Sequence, residues 1–206
     1  MRSKRTLIAT LMAGGLFLIL ATGCAVTPEG PAAFTVVPEP ALPLTAENLQ
    51  PGLAVLYFDH KFVRHLDALP PAEVVRQKGR SGPAVPYLNH QFGRGEVFDS
   101  GTNRGIAMEL RGLIRLDRAG TYGFQANTND GFRLFIDDRL LIDDPAWHSD
   151  RLSPEALAVI TEPGWYAIHI RYFQRKGTST LQLYWKPPQD DAFAIVPARV
   201  LAHRTP

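Results

Sequence analysis

Between residues 106 and 185 apolar and polar side chains alternate with a period of two, in short runs cut by Gly, Asn, Asp and Pro. Such a pattern commits a chain to strands with one face turned inward and one outward. Ile106, Met108, Leu110, Ile114 and Leu116 share one face, and Glu109, Arg111, Arg115 and Asp117 the other. Arg118-Ala119-Gly120 supplies a tight turn, after which Tyr122, Phe124 and Ala126 alternate with Thr121, Gln125 and Asn127. Phe132, Leu134 and Ile136 form a third inward set, and Asp137-Asp138 turns the chain into Leu140-Leu141-Ile142. Glu162-Pro163-Gly164 places Pro and Gly where turns favour them. Tyr166, Ile168, Ile170 and Tyr172 then share a face, and Lys176-Gly177 makes a hairpin back through Leu181, Leu183 and Trp185. Short antiparallel strands in this number predict an all-β fold, a β-sandwich or barrel.

Two stretches lack this texture. Residues 60–100 carry Pro70, Pro71, Gly79, Gly82, Pro83 and Pro86 and read as a long irregular segment of the kind that is functional or locally disordered. Residues 25–50 carry Pro28, Pro31, Pro38, Pro40 and Pro43, which break regular elements. With Cys24 they form a flexible spacer, 24–50, ahead of one domain at 51–204.

The chain begins with Arg2, Lys4 and Arg5, followed by an uncharged stretch from Thr6 to Gly23. A basic start, an apolar centre and a small-residue end make residues 1–23 a cleaved secretory signal. Its final segment, Leu20-Ala21-Thr22-Gly23-Cys24, resembles a lipobox. The resemblance implies a bacterial lipoprotein whose Cys24 carries diacylglycerol and an N-acyl chain, palmitate among the usual acyl groups. Two or more acyl chains hold a soluble domain on a membrane where one does not. Cys24 is the sole cysteine, so it has no disulfide partner within the chain. Ala25 rather than Asp after the cysteine implies, by the same resemblance, the outer membrane as the destination.

The chain has 22 Lys+Arg against 20 Asp+Glu. Loss of Arg2, Lys4 and Arg5 with the signal leaves 19 basic against 20 acidic side chains. No nucleic-acid-binding excess of positive charge remains, so nucleic acid is not an expected partner.

The ordered runs resemble a PA14 domain. Gly52-Leu53-Ala54-Val55-Leu56-Tyr57-Phe58 is similar to the family's first strand, residues 119–143 (AGTYGFQANTNDGFRLFIDDRLLID) to its most specific stretch, and residues 164–185 (GWYAIHIRYFQRKGTSTLQLYW) to its closing hairpin. Ile195-Val196-Pro197 fits the family's ending. The resemblance spans roughly residues 50–203 and implies a β-sandwich that in several members binds carbohydrate. In the sugar-binding members, two consecutive aspartates joined by a cis peptide bond hold Ca²⁺. Here Asn129 stands at the first of those positions, while Asp130 and Gly131 match. An amide oxygen can ligate Ca²⁺ but brings no charge, which weakens a site built of hard oxygen donors. The same three residues also suit a plain turn between two strands, with local hydrogen bonds and positive φ.

A second candidate cluster is Asp143–Asp150, containing Trp147 and His148, and the hairpin tip at Arg175 is either a further lining of a site or a solvated turn. Trp147 offers a flat face for a sugar ring or, alternatively, a cap on the core. No nucleophile elbow, HExxH zinc motif or phosphate-binding loop occurs, and the only thiol is committed to lipid. The sequence therefore predicts a non-catalytic, outer-membrane lipoprotein. Its module binds carbohydrate in or on the cell envelope, with Asn129 and Asp130 as the Ca²⁺ candidates and Trp147, His148 and Arg175 as ligand contacts. The alternative is an assembly lipoprotein whose sandwich contacts another envelope protein.

Overall fold

A computed structural model describes residues 30–204. The alternating runs become two sheets whose inward faces share one core. The larger sheet runs edge to edge through Ala32–Ala33, Arg139–Asp144, Phe132–Ile136, Gly164–Gln174, Ile106–Leu116, Leu201–Arg204 and Leu49–Pro51. Leu53–Asp59 pairs with Ile106–Leu116 and with Arg80–Val85. The smaller sheet runs through Ala194–Ile195, Ser179–Lys186, Gly120–Asn129, Ala156–Ile160 and Thr35–Val36, with Asn89–Gly93 on Ser179–Lys186. All pairings among these are antiparallel except that of Thr35–Val36 with Ala156–Ile160.

The inward sets read from the sequence are the core. Ile106, Leu110, Ile114 and Leu116 of the larger sheet are fully buried, and so are Tyr122, Phe124, Leu181 and Leu183 of the smaller. The 137–138 turn has both aspartates at positive φ, as a two-residue hairpin requires. Among the described residues no helix is long and apolar enough to cross a membrane.

The Pro-rich stretch departs from expectation. From residue 30 onward it is not a free spacer but lies along the sandwich. Ala32–Ala33 pairs with Ile142 and Asp143, and Leu42–Pro43 pairs with Gly164 and Trp165. Val36 is buried in the core, and Leu42, Ala46 and Leu49 cover Trp165, Leu113 and Ala202 on the outer face of the larger sheet. Proline forbids a ladder's interior but not two-residue edge pairings, and such pairings are how this segment docks. Residues 1–29, with the signal and Cys24, lie outside the described residues.

Residues 60–100 are likewise more ordered than their composition suggests. They form the short helices Leu66–Ala68 and Ala72–Lys78 and the strands Arg80–Val85 and Asn89–Gly93. Leu66 and Leu69 close over Ala107 and Phe173, at the opposite end of the outer face from Trp165. Between these two patches Glu109 is buried although its side of the strand reads as polar. It accepts a hydrogen bond from Arg171 Nε at 2.6 Å and contacts His169 Nε2, while Arg171 Nη2 donates to the Pro70 carbonyl at 2.9 Å.

Candidate functional site

Gly120–Asn129 ends in the smaller sheet and Phe132–Ile136 begins in the larger, so Asp130-Gly131 is a crossover at one end of the sandwich rather than a hairpin turn. The Asn129–Asp130 peptide is cis. Neither Asp130 nor Gly131 has positive φ, so the glycine has a different reason to be there. A Cβ on Gly131 would lie 2.4 Å from Phe173 Cε1 and 2.6 Å from the Pro145 oxygen. The crossover is stitched to the Gly164–Gln174 strand by Asp130 N–H to the Phe173 carbonyl at 3.2 Å and Phe173 N–H to the Gly131 carbonyl at 3.1 Å. The buried Tyr172 hydroxyl donates to the Asn129 carbonyl at 2.5 Å. Burial pushes that hydroxyl's pKa well up, and the charges of Asp130 and Asp150 add to the effect.

Asp130 is 3% exposed and joins two loops. Its Oδ1 accepts the backbone N–H of His148 at 3.2 Å, and its Oδ2 accepts that of Arg175 at 2.7 Å. Burial raises its carboxyl pKa, opposed by those two N–H groups. The tips at 147–148 and 174–177 are thereby fixed beside each other.

Trp147 is half exposed and belongs to no core cluster, which removes the core-cap reading. Its ring is flanked by two guanidinium groups, Arg64 at 5.3 Å and Arg175 at 5.4 Å from the ring centroid. Trp147 N–H donates to the Arg64 carbonyl at 2.9 Å, and Arg175 Nε donates to the Phe62 carbonyl at 3.2 Å. Arg64 and Phe62 were invisible as site residues in the sequence, because nothing local to residues 60–65 links them to a loop more than 80 positions away. A basic residue flanked by aromatic positions was the one available hint.

His148 plays another part than direct contact. Its side chain is 9% exposed, its Nδ1 donates to the Ser149 carbonyl at 2.7 Å, and its Nε2 lies 3.2 Å from Asp144 Oδ2, out of line for a good hydrogen bond. Asp144 also binds Arg151. Burial alone would raise the Asp144 carboxyl pKa, but His148 and Arg151 outweigh it and hold it low. His148 thus positions the tryptophan loop.

On the other side of the crossover, Asn129 Nδ2 donates to Asp150 Oδ1 at 2.9 Å and to Thr178 Oγ1 at 3.3 Å, and the Thr180 hydroxyl donates to Asp150 Oδ2 at 3.0 Å. These groups line an open pocket of about 560 Å³. A wider cavity of about 900 Å³ adjoins Phe62 and is lined by Asp59, His60, Arg80, Glu96, Asp99 and Arg104.

These contacts decide how well Ca²⁺ fits at Asn129 and Asp130. Both oxygens of Asp130 face N–H donors, and Asn129 turns its own N–H group toward Asp150. Asp130 spends one acceptor site of each oxygen on a backbone amide, and Asn129 brings no second charge. Among the described residues no three His, Cys, Asp or Glu side chains gather to hold a metal. Asn129 and Asp130 thus offer a single carboxylate, already engaged by two amides, where a Ca²⁺ site wants several oxygen donors. The amide at position 129 answers Asp150 with a hydrogen bond where a second carboxylate would have needed a cation.

The fold has relatives of known structure. An anti-sigma factor domain-containing protein from Clostridium clariflavum superposes with a TM-score of 0.60 at 21% identity, over 76% of this chain and 48% of that one. The PA14 sugar-binding domain of an RTX adhesin gives 0.55 at 15% identity, over 75% and 99%. The epithelial adhesin 6 A domain of Candida glabrata, in complex with Galb1-3GlcNAc, gives 0.58 at 13% identity, over 81% and 92%. The chain spans about half the length of the anti-sigma factor proteins. No curated protein sequence matches it. The PA14 domain model matches residues 50–198, and on that match and the sandwich just described the chain belongs to the PA14 domain family.

Proposed function

We propose that this protein is a non-catalytic carbohydrate-binding module, tethered by lipid at Cys24 to the outer membrane, and that it takes its ligand at the end of the sandwich organised by Asp130. The observation that carries this reading is the convergence at Asp130: one buried carboxylate holds both loop tips, Trp147 stands half exposed on one of them, and an open polar pocket lies on the other side of the crossover. An exposed aromatic ring and a pocket of hydroxyl and amide groups at one end of the sandwich are the two things a sugar needs, an apolar face to stack on and partners for its hydroxyls. The related adhesin domains, one sugar-binding and one in complex with Galb1-3GlcNAc, support it. Binding proceeds without Ca²⁺, because Asn129, Asp150 and the two threonines already satisfy one another.

A glycan array run with Ca²⁺ and with chelator tests the reading. Glycan binding that is equal in the two conditions is expected, and the absence of glycan binding in both sinks the proposal. The anchor is tested separately by mass analysis of the mature amino terminus. A diacylglyceryl, N-acylated Cys24 is expected, and Cys24→Ser should release the protein from the membrane fraction. A module that instead assembles with an envelope protein would bind no glycan and would retain a protein partner after Trp147→Ala.

A further inference from the structure

The charge around Trp147 deepens the carbohydrate reading, on which this inference rests: we infer that the ligand is an acidic glycan, its carboxylate or sulfate groups received by Arg64 and Arg175. Three separate loops bring their cations to this end. His60 N–H donates to the Gly105 carbonyl at 2.7 Å, Gly105 N–H to the Arg175 carbonyl at 3.0 Å, and Arg175 Nε to the Phe62 carbonyl at 3.2 Å. Lys61, Arg64, Arg104, Arg175 and Lys176 are carried on these tied segments, and none forms an ion pair among the described residues.

Nearby carboxylates have partners other than these cations, Asp150 in Asn129 and Thr180. Asp67 and Asp143 bind Arg133, Asp144 binds Arg151, and Asp130 faces two backbone amides. Glu96 accepts the Gly101 N–H at 2.5 Å in the adjoining cavity, where Asp59 and Asp99 also lie with Arg80 and Arg104.

Two guanidiniums against one indole also change what the indole offers. A neutral sugar that stacks there must compete with Arg64 and Arg175 for the ring's face, at a site where cation–π attraction already operates. An acidic sugar turns the same groups into partners. Guanidinium accepts carboxylate or sulfate in a two-pronged geometry while its plane remains on the ring. Phe62, whose carbonyl accepts from Arg175 Nε, is itself half exposed.

The test is titration calorimetry on the mature domain with two oligosaccharides of equal length, an oligogalacturonate and its neutral galactose counterpart. A DNA duplex and polyglutamate serve as further probes. The expected result is a preference of about tenfold or more for the acidic chain, weakening with salt. Arg64→Gln and Arg175→Gln, each checked for an unchanged melting temperature, should bring the acidic-to-neutral ratio towards one. Equal affinity for the two oligosaccharides overturns the inference and leaves carbohydrate binding standing, whereas binding of neither overturns both. Equally tight binding of DNA or polyglutamate, with the same dependence on Arg64 and Arg175, also overturns it, since the surface would then be a general polyanion site.

Discussion

Asp130 Oδ2 accepts the backbone N–H of Arg175 at 2.7 Å, across 45 residues of sequence, while its other oxygen accepts that of His148. One side chain therefore ties the two loop tips to the crossover, beside their own bonds to Arg64, Gly105 and Phe62. Asp130→Asn should remove one of the two acceptors and set an N–H group against the other amide. Leaving a buried donor unpaired costs about 1–3 kcal/mol, a fall in melting temperature of roughly 2–12 °C for a domain of this size. Thermal melts check the magnitude. Hydrogen exchange should accelerate first at the amides of His148 and Arg175, and unchanged protection there would contradict the role given to Asp130.

Asn129→Asp should turn a metal-independent site into a metal-dependent one. The new carboxylate would sit against Asp150, whose Oδ1 now accepts the Asn129 amide at 2.9 Å, and like charges at that distance repel. The variant should melt several degrees below the parent in chelator and regain the loss in Ca²⁺ at about millimolar concentration. The parent protein should melt at the same temperature in both. A Ca²⁺-dependent rise in the parent would contradict the reading of Asn129.

Glu109 should govern the acid side of the stability curve. Burial works to raise its pKa, but His169 and Arg171 outweigh burial and hold it below the usual carboxylate range. A depressed native pKa means that the stabilisation is complete above the unfolded value, about 4.3, and is lost as pH falls through the lower native value. Glu109→Gln should destabilise by about 3 kcal/mol at pH 7, because it strands buried cations. In urea titrations across pH 2–7, the gap between parent and variant should close below about pH 4. A constant gap would show that the Glu109 charge contributes nothing to the fold.

The docking of the Pro-rich segment predicts a truncation effect. A chain beginning at residue 49 loses Leu42 and Ala46 from above Trp165, which is 8% exposed in the full structure. Compared with a chain beginning at residue 30, it should show red-shifted tryptophan emission and a lower melting temperature. Identical spectra would mean that the segment does not cover the sheet.

The alternation at Ile106–Leu116 and Tyr122–Ala126 was legible because a strand with one face in the core has a period of two, and nothing else in the chain competes with it. The importance of Asn129-Asp130-Gly131 was legible through resemblance. Its geometry was not, since those residues also suit a turn, and only the placement of their flanking strands in different sheets makes them a crossover. Glu109 escaped notice because its cover comes from a neighbouring strand and from residue 70. Docking of residues 30–51 was hidden for a similar reason: prolines report what a segment cannot do alone, not which edge it can lie against. The Arg64–Trp147–Arg175 arrangement depends on three loops meeting, which no local pattern encodes.

The central claim is that the Asp130-organised end of the sandwich binds carbohydrate through Trp147. Its most direct test is calorimetry of the best glycan from the array against the parent and Trp147→Ala, both in chelator. Trp147 is half exposed and outside the core, so its removal should cost little stability. The account predicts saturable binding by the parent without Ca²⁺ and a loss of about tenfold or more in the variant, with melting temperatures within a few degrees. Parent-like affinity in the variant, or no binding by the parent until Ca²⁺ is added, would contradict it.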